Sequence, residues 1–407
     1  MPSYNMTMRW VYLDNNATTQ PAPEVVEAFQ GVYKDLWANP SSVHRFGQAV
    51  RHEVELARVS TAKLVGCRPR EVIFTSGGTE SNNLVLRGIL GPHAGSRRVL
   101  ITTKIEHSAI REPAKALDMD GVEVHYVGVD QDGLINPTVL QESLDQYASD
   151  EYPTLVSLQW ANNETGIIQP VVELAQICYR TRQNGHQVLF HTDATQAVGK
   201  IPVDLTGIPV DLLTLSVHKF HGPKGVGVLV ARPPARLRAQ NLGGPQEREK
   251  RGGTENTAGI IAAGVAAELA QQFIADQQSI DRCRQLRDRL EQEICTQLPS
   301  TVINSGGATR QQRIWNTSNM GFEGLESEAI LIGLSERGVC ASAGAACSSG
   351  SLEPSPVLAA MGIRETVAHG SIRLSLSRFT RDEEIDQAVE IIPQVIRRLA
   401  QTMPIGK

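Results

Sequence analysis

The sequence predicts an α/β fold with a large, mostly parallel sheet covered by helices, followed by a smaller α+β domain. Between residues 98 and 220, five short apolar runs end in polar or small residues, and stretches with helical spacing separate them. Strands that alternate with helices are typical of a parallel sheet. From about residue 260 the pattern changes to long helices, short strands and a terminal amphipathic helix. We therefore expect two domains with different architectures.

The predicted strands of the large sheet follow one another with helices between them. In chain order, the apolar runs are RVLITTKIEHSAI, VEVHYVGVD, PTLVSLQWANNETG, QVLFHTDATQ and DLLTLSVHKF. The stretch VVELAQICYRTRQNG, between the third and fourth runs, has helical spacing. Ligands of such sheets bind at the carboxyl ends of the strands. The polar residues that end each run are therefore candidates for a site.

The last third of the chain predicts the smaller domain. Residues 260–294 read as one or two long helices, IWNTSNMGF and GSIRLSLSRF as strands, and EEIDQAVEIIPQVIRRLA as a terminal amphipathic helix. We expect an N-terminal segment (1–20) associated with the small domain, a large α/β domain (21–265) and a small α+β domain (266–407).

Composition excludes several classes of protein. The 407 residues carry a net charge of -5 with no dense Lys/Arg run, which disfavours a nucleic-acid partner. The sequence has no apolar run long enough to predict a membrane span, and its first residues lack the pattern of a secretory signal. Six scattered cysteines without a C-x-x-C pair indicate reduced thiols and predict a cytoplasmic protein without a zinc site.

The segment EVIFTSGGTESNN, residues 71–83, is a candidate phosphate site. A strand runs into two glycines and Thr79, and we expect a helix that opens at Glu80. Backbone N–H groups beside glycines and at a helix N-terminus bind anions. The spacing matches neither a Walker A loop nor G-x-G-x-x-G, which favours a phosphate smaller than a nucleotide. A plain strand-to-helix turn is the alternative for this segment alone.

Two charged residues end apolar strands elsewhere in the same predicted sheet. Lys219 in LLTLSVHKFHGPKGVG is either a lysine that extends to solvent or a desolvated amine able to form a Schiff base. Asp193 in FHTDATQAVG either caps the next helix or pairs with a cationic ring nitrogen. A phosphate cradle, a lysine and an acid in one sheet are what pyridoxal phosphate requires.

Nine segments extend this pattern over almost the whole chain. They are YLDNNATT, TSGGTESNN, EHSAI, NNETG, DATQAVGK, SVHKFHGPKG, RGGTEN, CSSGSLEPS and GSIRLSLSRF. In these segments the chain resembles the cysteine desulfurases of the aminotransferase class V kind that serve nitrogen fixation and housekeeping iron–sulfur assembly. The resemblance implies a pyridoxal-phosphate-dependent transferase of the aspartate-aminotransferase-like fold type I, which acts as a homodimer.

The resemblance also implies a role for each matching residue around the cofactor. Lys219 is expected to hold the cofactor's aldehyde, Asp193 its pyridine nitrogen and Gln196 its phenolic oxygen. His107 is expected to lie over the ring, where it can also move protons. The residues expected to bind the phosphate are Gly78, Thr79, Ser216, His218 and, from the other subunit, Thr254.

The resemblance assigns the substrate and the nucleophile to three further residues. Asn163 and Arg373 are expected to hold the carboxylate of L-cysteine, because a planar guanidinium meets a carboxylate with two hydrogen bonds. Cys347, in a predicted loop at about 338–352, is expected to take the sulfur as a persulfide. The residues around Cys347 are Ala, Gly and Ser. The family usually has Ser-Ala-Cys at this position, whereas this chain has Ala-Ala-Cys. Such a loop would let the sulfur travel to an acceptor protein.

Two other functions remain open at this point. A selenocysteine lyase or cystine lyase on the same scaffold would be distinguished by relative rates on cysteine, cystine and selenocysteine. An inactive scaffold protein is disfavoured, because it would need none of Lys219, Asp193, Arg373 and Cys347.

Overall fold

In the described parts of the chain, the strands form three sheets with helices packed around them. The computed structural model describes residues 10–92, 97–343 and 354–402. The strands are β1 (Val11–Tyr12), β2 (Val72–Thr75), β3 (Val99–Thr103), β4 (Glu123–Val127), β5 (Thr154–Ser157), β6 (Val188–Asp193), β7 (Leu212–Ser216), β8 (Gly227–Ala231), β9 (Val302–Ile303), β10 (Thr317–Gly321), β11 (Val339–Cys340) and β12 (Ser371–Ser375). The helices are α1 (Pro23–Asp35), α2 (Arg45–Leu64), α3 (Gly78–Leu90), α4 (Ser108–Met119), α5 (Pro137–Tyr147), α6 (Val171–Gln183), α7 (Gln246–Glu249), α8 (Thr257–Ala275), α9 (Gln277–Gln297), α10 (Ser327–Glu336), α11 (Pro356–Ala360), α12 (Glu365–Ala368) and α13 (Asp382–Thr402).

The largest sheet has seven strands in the order β2-β8-β7-β6-β5-β3-β4. Strands β3 to β7 pair in parallel, and β8 runs antiparallel to both β7 and β2. Each of the five predicted runs contains one of the parallel strands, so the predicted mixed, mostly parallel sheet is confirmed. After β3 the chain adds β4 at one edge of the sheet, whereas after β5 it adds β6 in the opposite direction. The topological switch point, where ligands bind in such sheets, therefore lies between β3 and β5.

Both faces of the inner strands of this sheet are buried, which explains why those strands are nearly continuous apolar runs. Leu155 and Leu212 belong to an apolar cluster on one face. The next residues along each strand, Val156 and Leu213, belong to a larger cluster on the other face. Successive side chains of a strand point to opposite faces, so covering both faces requires apolar residues at consecutive positions.

Helix α8 is the one described helix that is long and apolar enough to cross a membrane by length and composition. It packs against α1 and α2, and its buried residues join the larger apolar cluster of the seven-stranded sheet. The apolar composition of α8 is therefore that of a core helix. Its junction with α9 lies at Asp276, whose side chain accepts the backbone N–H groups of Gln278 and Ser279. The predicted helical region is thus two helices.

A second apolar core joins the two ends of the chain. It contains Leu13, Leu290, Ile330, Ile372 and Ile392, and lies by the antiparallel sheet β12-β10-β9 and the parallel pair β1-β11. The predicted strands at 314–322 and 370–379 and the predicted terminal helix are present as β10, β12 and α13. The division of the chain at residues 21 and 266 stays a prediction.

The start of α3 differs from its predicted position. The helix begins at Gly78, two residues before Glu80, with Gly77 as its N-cap. A side chain at position 78 would lie 3.2 Å from the hydroxyl oxygen of Thr195. A side chain on Gly227 of the neighbouring strand would lie within 2.6 Å of the backbone of Gly77. The missing side chains of Gly78 and Gly227 therefore allow neighbouring segments of the chain to approach closely.

Candidate functional site

A cavity of about 450 Å³ opens at the carboxyl ends of β3, β5, β6 and β7, at the switch point of the sheet. Its walls also include residues from the start of α3, from the segment after β1 and from β12. Ten of the residues predicted from sequence line it: Gly78, Thr79, His107, Asn163, Asp193, Gln196, Ser216, His218, Lys219 and Arg373. Parallel strands converge at one edge of a sheet, so residues far apart in sequence meet there.

Lys219 lies in a single 3₁₀ turn, Val217–Lys219, that directly follows β7. Its amine donates hydrogen bonds to the backbone carbonyl oxygens of Asn16 at 2.7 Å and Ala17 at 2.6 Å. Both acceptors lie in the segment after β1, which packs across the end of the sheet. The side chain is thus held inside the cavity, and the alternative of a lysine extended to solvent does not describe it.

Asp193 is the last residue of β6 and is 8% exposed. One carboxylate oxygen accepts from the Asn82 side chain at 2.8 Å, and the other accepts from the backbone N–H of Thr195 at 2.9 Å. The hydrogen bond to Thr195 agrees with the alternative that Asp193 caps the segment after it. The hydrogen bond to Asn82 on α3 is not part of such a cap. The two hydrogen bonds hold the carboxylate of Asp193 in one orientation at the wall of the cavity.

His107 follows β3 and is the N-cap of α4. Its Nδ1 accepts the backbone N–H of Ala109 at 3.1 Å, so the neutral ring carries its proton on Nε2. Burial lowers the pKa of His107; Asp193 opposes this effect and the nearby cation Lys219 adds to it. The ring is therefore neutral near pH 7 and can donate from Nε2.

The donors around the start of α3 fit a phosphate. Gly78 and Thr79 form the first turn of α3, where backbone N–H groups point out of the helix. The hydroxyl of Thr195 is buried and lacks a hydrogen-bond partner among the described residues. Ser216 and His218, from the end of β7, line the same part of the cavity. A buried hydroxyl without a partner beside a helix N-terminus indicates a ligand with several acceptor oxygens.

His218 is a neutral donor or acceptor rather than a cation. Its Nδ1 lies 3.0 Å from the hydroxyl of Thr18. Burial lowers the pKa of His218 to about 4, and the neighbouring Lys219 and Lys224 add to this effect. The phosphate cradle, the carboxylate of Asp193 and the amine of Lys219 together fit the phosphate, the pyridine nitrogen and the aldehyde of pyridoxal phosphate.

Arg373 lies on the opposite wall, on the central part of β12, and is 2% exposed. Its Nη2 donates to a carboxylate oxygen of Asp14 at 2.7 Å, and its Nη1 donates to the backbone carbonyl oxygen of Asn163 at 3.0 Å. A charged hydrogen bond to Asp14 therefore fixes the plane of the guanidinium.

Cys347 lies outside the described residues, but the residues on either side of its segment lie at the cavity. Ser342 exchanges two backbone hydrogen bonds with Arg373. Pro354 and Pro356 line the cavity. Between them, the hydroxyl of Ser355 donates to the buried carboxyl of Glu164 at 2.5 Å.

Thr254 lies outside the cavity of its own chain, and its side chain is exposed. The role predicted for it, contact with the phosphate of the other subunit, stays a prediction.

Several buried polar residues of the site were missed from sequence. Asn82 lies one helical turn after Thr79 and contacts Asp193, so its spacing could have indicated it. Glu106 precedes His107 and is 1% exposed, with burial raising its pKa to about 8. Lys200 ends the segment DATQAVGK and is 4% exposed. No local pattern predicts burial of these last two residues.

Comparison with known proteins shows the family to which this chain belongs. The family model for aminotransferase class-V matches residues 11–388. Cysteine desulfurase 2 of Trichormus variabilis is 45% identical over 399 residues, which are 98% of this chain and 96% of the relative.

Two solved structures are also similar to this chain. A NifS-like protein aligns with a TM-score of 0.87 and 34% identity, covering 96% of this chain and 100% of its own. A structure described as SspA in complex with cysteine aligns with a TM-score of 0.76 and 30% identity, covering 91% of this chain and 99% of its own. The chain therefore belongs to the aminotransferase class-V family and, within it, to the cysteine desulfurases.

Proposed function

We propose that this protein is a cysteine desulfurase that uses pyridoxal phosphate to convert L-cysteine to L-alanine and takes the sulfur onto Cys347. The observation that carries this proposal is the single cavity that brings together Lys219, Asp193, His107 and Arg373. An amine, a carboxylate acceptor, a neutral imidazole and a guanidinium are the groups needed to bind the cofactor and an amino acid. The flanks of the Cys347 segment reach the same cavity.

Each end of the cofactor has a matching set of side chains. Lys219 would bind the aldehyde, Asp193 the pyridine nitrogen and Gln196 the phenolic oxygen. The phosphate would be held by Gly78, Thr79, Ser216 and His218. When bound, pyridoxal phosphate supplies an electron sink that stabilises negative charge at the substrate's Cα. The carboxylate of Asp193 favours the protonated ring nitrogen on which that property depends.

Arg373 and Asn163 would fix the substrate by its carboxylate. The guanidinium is buried, and its plane is set by Asp14. A hydrogen bond between charged groups contributes about 1.5–3 kcal/mol, more than a neutral pair. Lys219 lines the same cavity as Arg373 and Asn163, so its amine would share one site with a substrate held by its carboxylate.

One amine can move a proton at the substrate. The amine of Lys219 can accept the proton from Cα, because amines at such positions act as general bases when they are not charged, and it can then return that proton to the substrate. The neutral ring of His107 can donate a hydrogen bond from Nε2, since its Nδ1 already accepts the Ala109 N–H. Both residues line the same cavity, so His107 can hold the substrate while Lys219 moves the proton.

The sulfur step balances with Cys347 as the nucleophile. The Cβ–S bond of the substrate breaks, an S–S bond to Cys347 forms, and Cβ keeps the electron pair and takes a proton to give alanine. The net change is L-cysteine and one protein thiol to L-alanine and one protein persulfide. Cys347 follows Ser342 by five residues, and five extended residues span at most about 17 Å. Because Ser342 pairs with Arg373 on the cavity wall, this length limits how far Cys347 can lie from the cavity.

The protein would act as a homodimer. Tyr33 and Trp37 are 65% and 69% exposed, and Trp37 packs edge-on against Phe46. Exposed aromatic side chains are enriched at protein interfaces. Thr254, which lies outside its own cavity, would then reach the phosphate of the partner subunit. Mixing Lys219→Ala chains with Thr254→Ala chains should restore part of the activity if one intact site forms from two chains.

The sulfur would pass from Cys347 to an acceptor protein of iron–sulfur cluster or thio-cofactor assembly. The protein would work in the cytoplasm, where thiols stay reduced. All five described cysteines are free thiols, which agrees with that compartment.

Purified protein reconstituted with pyridoxal phosphate and given L-cysteine tests the proposed function. We expect alanine and sulfide to appear in equal amounts when a thiol reductant is present. Cys347→Ser should keep the cofactor but lose both products, whereas Cys295→Ser, a cysteine on α9, should keep both. Alanine release by Cys347→Ser at the unchanged rate would contradict the proposal, and a much higher rate on selenocysteine would favour a lyase instead.

A further inference from the structure

Lys200 is a buried lysine behind the wall of the cavity. It lies four residues after Gln196 in the turns that follow β6, and it is 4% exposed. It is absent from the described residues that line the cavity. A buried lysine is costly unless its amine is fully hydrogen-bonded, so its partners indicate its purpose.

The amine of Lys200 has two side-chain acceptors. It donates to the amide oxygen of Asn16 at 3.0 Å and to the amide oxygen of Gln196 at close range. Burial strongly lowers the pKa of Lys200, and the nearby cations Lys219 and Arg373 add to this effect. Both acceptors are amide oxygens, so the amine of Lys200 is hydrogen-bonded to two side chains.

The amide of Gln196 is held on both sides. Its oxygen accepts from Lys200, and its Nε2 donates to the backbone carbonyl oxygen of Asn16 at 3.0 Å. Turning the amide over would place its oxygen against that carbonyl oxygen and its nitrogen against the donors of Lys200. The observed orientation is therefore the one that satisfies every group.

The Asn16 amide is fixed in the same way, so the arrangement is rigid. Its oxygen also accepts from Asn316 at 3.0 Å, and its nitrogen donates to Thr317 at 2.8 Å and to the carbonyl oxygen of Asn163 at 3.1 Å. The same residue's backbone carbonyl oxygen accepts from Lys219. A buried polar network with all its members paired specifies one arrangement of side chains.

We propose that Lys200 is a positioning residue that orients the Gln196 amide so that its Nε2 faces the phenolic oxygen of pyridoxal phosphate. This inference rests on the proposed function, since it requires that cofactor. Lys200 acts through Gln196 and touches neither cofactor nor substrate. A hydrogen-bond donor at the phenolic oxygen stabilises the negative charge of that oxygen. Loss of this donor therefore alters the affinity for the cofactor and the pH at which the bound cofactor changes its absorption.

Four variants and a conservative fifth, Lys200→Gln, test the proposal on full-length protein. Lys200→Met removes the donors, Gln196→Leu removes the amide, and the double variant removes both. Arg287→Met is the matched control, because Arg287 is a buried cation, 1% exposed, whose partners are Asp288 and the carbonyl oxygen of Ile314. For each we measure the dissociation constant of pyridoxal phosphate from apoprotein, the pH midpoint of the visible band and the melting temperature.

We expect Lys200→Met to weaken cofactor binding about tenfold, as for loss of one hydrogen bond to a charged group. The pH midpoint of the visible band should rise by about one unit, in the same direction as for Gln196→Leu. The double variant should match Gln196→Leu alone, since Lys200 acts through that amide. Arg287→Met should lower the melting temperature and leave the midpoint unchanged. Lys200→Gln, which keeps an N–H donor, should give an intermediate midpoint and serves if the methionine variant does not fold.

An unchanged midpoint in the Lys200 variants, with a clear shift in Gln196→Leu, would overturn the inference and leave the proposed function standing. Additive shifts in the double variant would also overturn it, because Lys200 would then act independently of Gln196. Wild-type protein that gains no visible band with pyridoxal phosphate would instead contradict the proposed function.

Discussion

The two walls of the cavity are built in different ways. The cofactor wall, with Asp193, His107 and Lys219, comes from strand-end loops of one seven-stranded sheet. The carboxylate wall carries Arg373 on the three-stranded sheet, and its partners Asp14 and Asn163 lie 359 and 210 residues away along the chain. The main cofactor contacts should therefore depend on the seven-stranded sheet, and substrate binding on how the two sheets pack together. Substitutions on the two walls should separate these properties.

Lys219→Ala should have the largest effect, because it removes both the amine that binds the cofactor and a proton acceptor. We expect activity to fall at least about 10³-fold, the upper part of the range for loss of a general base, together with loss of the visible band. Lys34→Ala, an exposed lysine on α1, is the matched control. Turnover within tenfold of wild type would show that the cofactor wall does not act as described.

Arg373→Lys should separate the walls most clearly. The lysine keeps the charge but loses the planar pair of donors, so KM for cysteine should rise about 100-fold. Cofactor affinity and the visible band should stay unchanged, because the cofactor wall belongs to the other sheet. Steady-state kinetics measure KM for cysteine, and a titration of the apoprotein measures cofactor affinity. A variant that loses cofactor with an unchanged KM would contradict the claim that the two walls bind cofactor and substrate separately.

Asp14→Asn should have a smaller effect on the same wall. The substitution keeps the shape of the side chain but removes the charge that fixes the guanidinium of Arg373. We expect KM to rise about tenfold with kcat nearly constant. Asp118→Asn, an exposed residue on α4, is the control. A lower KM would mean that Asp14 competes with the substrate carboxylate rather than positioning its partner.

Glu106→Gln should change mainly the pH dependence of stability on the cofactor wall. Burial raises the pKa of Glu106 to about 8, so the folded state binds this proton more tightly than the unfolded state. The wild type should therefore lose stability as pH rises from about 4.5 to about 8, by a few kcal/mol at most. The variant should lack this loss. Urea unfolding at pH 5, 7 and 9 measures the difference, and parallel curves would contradict a raised pKa.

The cofactor wall was largely predictable from sequence. Lys219 and Asp193 each end an apolar run, and the carboxyl ends of parallel strands meet at one edge, so both positions follow from local pattern. The start of α3 was predicted two residues late, because the approach of Thr195 to Gly78 is a contact between distant segments.

The supporting residues were not predictable in this way. Lys200 ends a segment that reads as a turn, and its burial depends on Asn16 and Gln196 together. Arg373 was assigned through resemblance, since an arginine within a strand predicts neither burial nor a partner 359 residues away. Pairing across two sheets is tertiary information, which periodicity along the chain does not carry.

Sulfur on Cys347 is the central claim, and mass analysis of the peptide that carries this residue tests it most directly. The reconstituted protein is given L-cysteine labelled at sulfur, without reductant or acceptor, and is then alkylated and digested. We predict one labelled sulfur atom on the Cys347 peptide of the wild type. At low cysteine concentration, the same peptide of the Arg373→Lys variant should carry no label. Label on another cysteine, or alanine formed with an unlabelled Cys347 peptide, would contradict the account.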